Sequence, residues 1–134
     1  MRYILDTDIC IYILNDAAPQ LRSYFEKWGP DQICISTLTE AELYYGALHS
    51  SKPKKNQEKI QKFVMPFPRI PFDSSAAFEF AAVKEELTRK GRPIGAVDML
   101  IGAIAKAHGL ILVSNNIKHF KLITGLKVEN WLEE

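Results

Sequence analysis

Short apolar runs alternate along this chain with longer stretches in which apolar residues recur at helical spacing. Tyr3 to Leu5 is the first run, followed at Thr7-Asp8 by helix-start residues and then by the apolar turns Ile9 to Leu14. Leu21, Tyr24, Phe25 and Trp28 set a second helix that Gly29-Pro30 closes, and Ile33 to Ile35 is the second strand. Ser36-Thr37-Leu38-Thr39 opens a helix that runs through Glu42, Leu43, Gly46 and Ala47 to about His49. Beyond the polar linker Ser50 to Pro53 comes a lysine-rich helix ending near Val64, then a third short strand over Arg69 to Phe72. Asp73 or Ser74 caps a helix from about Ser75 to Lys90, with Phe78, Ala81, Ala82, Glu85 and Leu87 as its amphipathic pattern. Gly91-Arg92-Pro93 stops it, Gly95 allows a turn, and an apolar helix spans Ala96 to His108, ended by Gly109 as a left-handed cap. Leu110 to Val113 is a fully apolar strand. Strands that are apolar on both faces and alternate with helices predict a parallel sheet covered on both sides, an α/β fold of three layers. No internal repeat or second domain interrupts the pattern, so residues 1–134 are expected to form a single domain.

Composition narrows the class. With 134 residues, 47% hydrophobic and 25% charged, the chain can build one core without disulfides. The longest nearly apolar run, Ala96 to Ala105, contains Asp98 and falls short of the ~20 residues that a membrane span needs. Met1-Arg2-Tyr3-Ile4-Leu5-Asp6 lacks the apolar core of a signal peptide, so a cytoplasmic protein without a membrane anchor is expected. Cys10 and Cys34, with no third cysteine, read as reduced core residues. The net charge of +1 says little, but Lys52, Lys54, Lys55, Lys59 and Lys62 face only Glu58 in their segment, and Arg89, Lys90 and Arg92 cluster further on. Such clusters serve either phosphate contact or simple solvation of a helix face.

The candidate chemistry is acidic. Binding sites of open parallel sheets form outside the carboxyl ends of the strands. Asp6 directly follows the first strand, Glu42 sits in the helix after the second, Asp98 lies in the first turn of the helix opened by Gly95, and Asn115-Asn116 follows the last apolar strand. Each has an ordinary explanation as well: Glu42 fits a capping box with Thr39, Asp98 suits the positive end of a helix, Asp6 or Asp8 can cap, and Asn115-Asn116 can form a turn. Together the carboxylates would repel one another and raise each other's pKa values, a conflict that a cation removes. Oxygen ligands favour Mg²⁺, or Mn²⁺ in its place, over zinc, and such an ion suits phosphodiester hydrolysis. His49, His108 and His119 are isolated and read as surface or cap residues, and neither a phosphate-binding G-x-x-x-x-G-K-[ST] loop nor a G-x-S-x-G elbow occurs. Tyr44, Tyr45 and Leu48, with the Leu21 to Trp28 helix, fit either core packing or a partner surface.

Ile4-Leu5-Asp6-Thr7-Asp8-Ile9, Ile35-Ser36 through Glu42-Leu43-Tyr44-Tyr45-Gly46, Gly91-Arg92-Pro93-Ile94-Gly95 with Asp98, and Leu112-Val113-Ser114-Asn115-Asn116 with Phe120 recur in order at family-like spacing. In these motifs, and in Gly125-Leu126 and Glu129-Asn130-Trp131, the chain resembles the VapC toxins of the PIN-domain family. The resemblance implies a PIN-like α/β/α sandwich, a homodimer, neutralisation by a VapB-type antitoxin, and Mg²⁺-dependent cleavage of RNA. It also implies that Asp6 and Asp98 are the principal metal ligands and Glu42 the third acid, with Asn116 where many PIN nucleases carry a fourth aspartate. A neutral amide there favours one tightly held Mg²⁺ over two, and Asp8 stands where the family's Leu-Asp-Thr-Asn run has asparagine. Structured RNA is the family's substrate, commonly a tRNA anticodon stem-loop, and the chain is most similar to the forms that cut initiator tRNA. The rival readings are a catalytically weak PIN-like module that binds RNA or a partner, and a phosphatase with Asp6 as nucleophile, which lacks the lysine such an enzyme requires.

Overall fold

The computed structural model describes residues 1–29 and 31–132. Among them, five strands form one parallel sheet: β1 (Tyr3–Leu5), β2 (Ile33–Ser36), β3 (Arg69–Ile70), β4 (Ile111–Val113) and β5 (Val128–Glu129), in the order β3-β2-β1-β4-β5. The helices are α1 (Thr7–Leu14), α2 (Leu21–Trp28), α3 (Thr37–Leu48), α4 (Pro53–Val64), α5 (Ser74–Arg89), α6 (Ala96–Ala107) and α7 (Ile117–Phe120).

Alternation along the strands divides the interior into two cores. Tyr3, Leu5, Ile33, Ile35 and Val113 point to one face, packing with Ile9, Cys10, Leu43 and Trp131. Ile4, Cys34 and Leu112 point to the other, against Val83, Leu87, Ile101 and Ile104. Burying a side chain of this kind stabilises the fold by about 1.5–3 kcal/mol. The cysteines are free, buried and in opposite cores, as a reduced core role requires. Two glycines fit the chain's path. Gly109 takes φ 63° after α6, and a Cβ on Gly102 would lie 2.9 Å from Ile123 Cδ1, so any larger residue there would make the Ile123 side chain shift where the segment after α7 packs on α6.

The three-layer α/β architecture is the one expected from the pattern, and the differences have local causes. The third strand ends at Ile70 because Pro71 has no N–H for the ladder. Phe78, Ala81, Ala82 and Glu85 do share a helical face, but it is the outward one; the inward stripe is Ala76, Val83 and Leu87, and Phe78 is 74% exposed. Helix α6, apolar along its length, is buried through its middle, while Val97 in its first turn is exposed. Pro30, expected to close α2 with Gly29, lies outside the described residues; Gly29 itself is the C-cap, at φ 64°. Helix α7 and strand β5, only four and two residues long, are too short to show in the apolar pattern.

Candidate active site

The chain leaves β1 for β2 on one side and returns to pair β4 on the other, so β1 and β4 flank the point where strand order reverses. Leu5 lies level with both Ile35 and Val113, which brings Ser36, Asp6 and Ser114 out side by side at the carboxyl edge. Asp6 caps α1, its Oδ1 accepting from the Ile9 N–H at 2.9 Å, yet it is only 4% exposed. Burial pushes its carboxyl up to about 6, with the charges of Asp8 and Asp98 adding, although the Ser114 hydroxyl and the Ile9 amide hydrogen-bond it and pull the other way. Asp98, three residues into the chain from the Gly95 cap of α6, is also raised, first by burial and then by Asp8, with His119 opposing. Two carboxyls with raised pKa values and a third acid facing them mark a place built for positive charge.

A cleft of about 450 Å³ opens over these groups, lined by Asp6, Thr7, Asp8, Ile11, Ala41, Glu42, Tyr45 and Asp98. Glu42 is not the partner of a Thr39 cap. Ser36 caps α3, accepting from the Thr39 N–H at 3.0 Å, and this places Glu42 a turn further on, above the cleft. There its Oε1 accepts the Thr7 hydroxyl proton. A hydroxyl has one proton to give, so the 3.1 Å contact between Thr7 and Thr39 Oγ1 runs from Thr39 to Thr7, and the 3.3 Å contact from Ser36 reaches Thr39. The chain Ser36, Thr39, Thr7, Glu42 thus ends on a carboxylate and ties α3 to the start of α1.

Asn116 is not among the residues lining the cleft. Its backbone N–H donates to Ser114 Oγ at 2.8 Å, and its side-chain amide meets His119 Nδ1 at 2.8 Å. The same His119 Nδ1 stands 3.9 Å from Asp98 Oδ2, beyond hydrogen-bond reach, so the imidazole lies beside that acid without bonding it. Asn115 turns the other way, accepting from Asn130 Nδ2 at 3.2 Å and joining the ends of β4 and β5.

Among the described residues, no three His, Cys, Asp or Glu side chains are already drawn in around one ion-sized point. The acids line one cleft without converging on such a point, and Glu42 is hydrogen-bonded by Thr7. Mutual repulsion keeps uncompensated carboxylates apart. The donors facing the cleft are nevertheless all oxygen, which fits a hard divalent cation and not zinc. The structure adds Thr7, Thr39, Ser114 and His119 to the residues singled out by sequence. Ser114 follows β4 as Asp6 follows β1, a parallel that the register makes legible. Nothing in the sequence pointed His119 at Asp98.

This fold and acid cleft define the class of PIN-type nucleases, and the PIN domain profile matches residues 3–125. A tRNA(fMet)-specific endonuclease VapC of Shigella flexneri is 36% identical over 131 residues, 98% of each chain. Ribonuclease VapC2 of Haemophilus influenzae is 37% identical over 132 residues, covering 98% of this chain and 99% of its own. The DNA-bound VapBC structure from Salmonella typhimurium superposes with a TM-score of 0.93 at 33% identity, covering 98% of each chain. The chain belongs to the VapC ribonucleases of the PIN-domain family.

Proposed function

We propose that this ribonuclease is the toxin of a toxin–antitoxin pair and cleaves RNA with Mg²⁺, or Mn²⁺ in its place, at the cleft of Asp6, Glu42 and Asp98. The buried Asp6 carboxyl, raised to about 6 beside Asp8 and Asp98, carries this reading, because burying an acid without a cationic partner is unfavourable unless a cation completes the site. Asp6 and Asp98 hold the ion, with Glu42 completing the set. When bound, the cation supplies charge neutralisation for the scissile phosphate and the departing oxygen. Ser114 and the Ile9 amide fix the Asp6 carboxylate, so that it need not reorganise during the reaction. Glu42, freed from Thr7, orients or deprotonates the attacking water. Asn116 hydrogen-bonds the His119 ring and keeps it beside Asp98.

The substrate we assign is the anticodon stem-loop of a tRNA, with initiator tRNA first, on the strength of the Shigella relative's specificity. Cleavage there stops translation. The VapBC neighbour supports a VapB-type antitoxin as partner, and exposed Phe78 supports a homodimer that covers it. No helix among the described residues is long and apolar enough to cross a membrane, in keeping with action in the cytoplasm. The neutral Asn116 favours one metal ion over two, and it is also what supports a second reading, a PIN-like binding module with weak catalysis. Incubating the purified chain with total tRNA, with Mg²⁺ or with EDTA, and sequencing the RNA ends separates the readings. Metal-dependent ends in one tRNA loop are expected. Cuts spread over mRNA with intact tRNA would remove the tRNA assignment, and binding without products would favour the module.

A further inference from the structure

The cleft carries Asp6, Asp8, Glu42 and Asp98, so it repels the phosphates it must receive, and most of the hold on an RNA strand has to come from its flanks. One flank is built for this. A groove of about 300 Å³ shares Ile11 and Glu42 with the acid cleft and runs between α1, α3 and α4, past Leu14, Gly46 and Ala47 to Asn56 and Lys59. Beside Lys59, Lys52, Lys55 and Lys62 fall three, four and three residues apart, one stripe of about 15 Å along the helix axis. All four are exposed, and among the described residues none lies in an ion pair.

Gly46 is the second, independent sign. It lies inside α3, where glycine costs a helix about 1 kcal/mol relative to alanine. A Cβ there would meet nothing within 4 Å and φ is not positive, so neither packing nor backbone geometry calls for glycine. Its position in the wall of the groove does, since any side chain would project into that space.

We propose that the groove between α1, α3 and α4 is a track for the RNA strand beside the cleavage site, with Lys55 and Lys59 on its phosphates and Gly46 keeping the groove open. This rests on the RNA-cleaving reading of the adjoining cleft. The basic stripe suits a polyanionic backbone, and lysines placed in this way position a strand without reading its bases.

The test measures binding of a fluorescein-labelled tRNA anticodon stem-loop by anisotropy in the cleavage-silent Asp98→Asn background, and cleavage of the same RNA in the unsubstituted one. Lys55→Gln with Lys59→Gln is expected to weaken binding about tenfold and to flatten the dependence of log K on log salt by about 0.7 for each phosphate no longer neutralised. In cleavage, KM rises to match while kcat stays within about twofold, the pattern of weakened uniform binding. Gly46→Leu is expected to raise KM similarly with no drop in melting temperature. Lys84→Gln with Lys127→Gln, two exposed lysines elsewhere, is the control for net charge. Binding and KM equal to this control in both groove variants would overturn the track, and so would loss of an acidic protein partner with RNA binding intact. If the unsubstituted chain binds RNA through these lysines but makes no products with Mg²⁺ or Mn²⁺, the track stands and the nuclease reading of the cleft fails.

Discussion

The two ends of the sheet share one hydrogen-bonded ladder but have opposite chemistry. At the carboxyl end, β1 and β4 deliver Asp6 and Ser114 to a cleft where α1, α3 and α6 begin, and their positive helix ends favour acids. At the amino end, the same β1 begins with Tyr3, whose ring lies 5.2 Å from that of Trp28 and 5.0 Å from that of Trp131, while Trp131 stacks on Tyr24 at 4.4 Å. The Arg2 guanidinium covers Trp28 at 4.7 Å from the ring centre. One end is closed by apolar contact and a cation already in place. The other keeps a buried carboxylate, Asp6, with no Lys or Arg paired to it among the described residues. Stability is therefore concentrated at the aromatic end, and unresolved charge at the acidic one.

That contrast can be broken from either side. Asp98→Asn is expected to cut RNA cleavage by on the order of 10³-fold, equivalent to about 4 kcal/mol of barrier, without lowering the melting temperature, since an amide of the same shape relieves repulsion. Single-turnover kinetics beside a thermal melt measures both. Trp131→Ala should do the reverse, removing about 3–5 kcal/mol of folding stability in a urea titration while activity per folded molecule is unchanged.

The pH dependence follows from Asp6. Its folded value, about 6, lies above the ordinary 3.8, so the folded state keeps this proton to higher pH than the unfolded one. The stabilisation that results is complete below about pH 4 and fades as pH rises through 6, by on the order of 3 kcal/mol at most. Asp98 shifts in the same direction. In metal-free buffer, the difference in urea midpoint between the unsubstituted chain and Asp6→Asn should therefore widen, in favour of the asparagine, from pH 4 to pH 7, and Mg²⁺ should narrow it. A difference independent of pH would mean that the carboxylate is not strained. The smallest effect is expected from Thr7→Val, which removes the hydroxyl that holds Glu42 and should change kcat by about tenfold with little effect on stability.

Strands β1 to β4 and most helix ends could be read directly, because apolar strands, Ser36 and Asp73 as caps and Gly109 as a stop are local signals. The face of α5 could not: Phe78 with Ala81 and Ala82, and Ala76 with Val83 and Leu87, are both apolar stripes, and only packing against α6 chooses between them. The placement of Asp6, Glu42 and Asp98 about one cleft was legible from their positions after strands and at helix starts. The hydroxyl chain from Ser36 to Glu42 and the approach of His119 to Asp98 were not, since they involve residues that are adjacent only once the sheet register is set. The sequence also suggested a tighter meeting of the acids than the fold provides, because it does not show that Thr7 gives Glu42 an alternative partner.

The proposed function turns on a divalent cation held by Asp6 and Asp98, and Mn²⁺ binding followed by electron paramagnetic resonance tests it without RNA. The unsubstituted chain should take up one Mn²⁺ per molecule, displaced by excess Mg²⁺, and Asp98→Asn should take up none at the same concentrations. Equal uptake by both proteins, or none by either, would contradict a metal site built on these two acids.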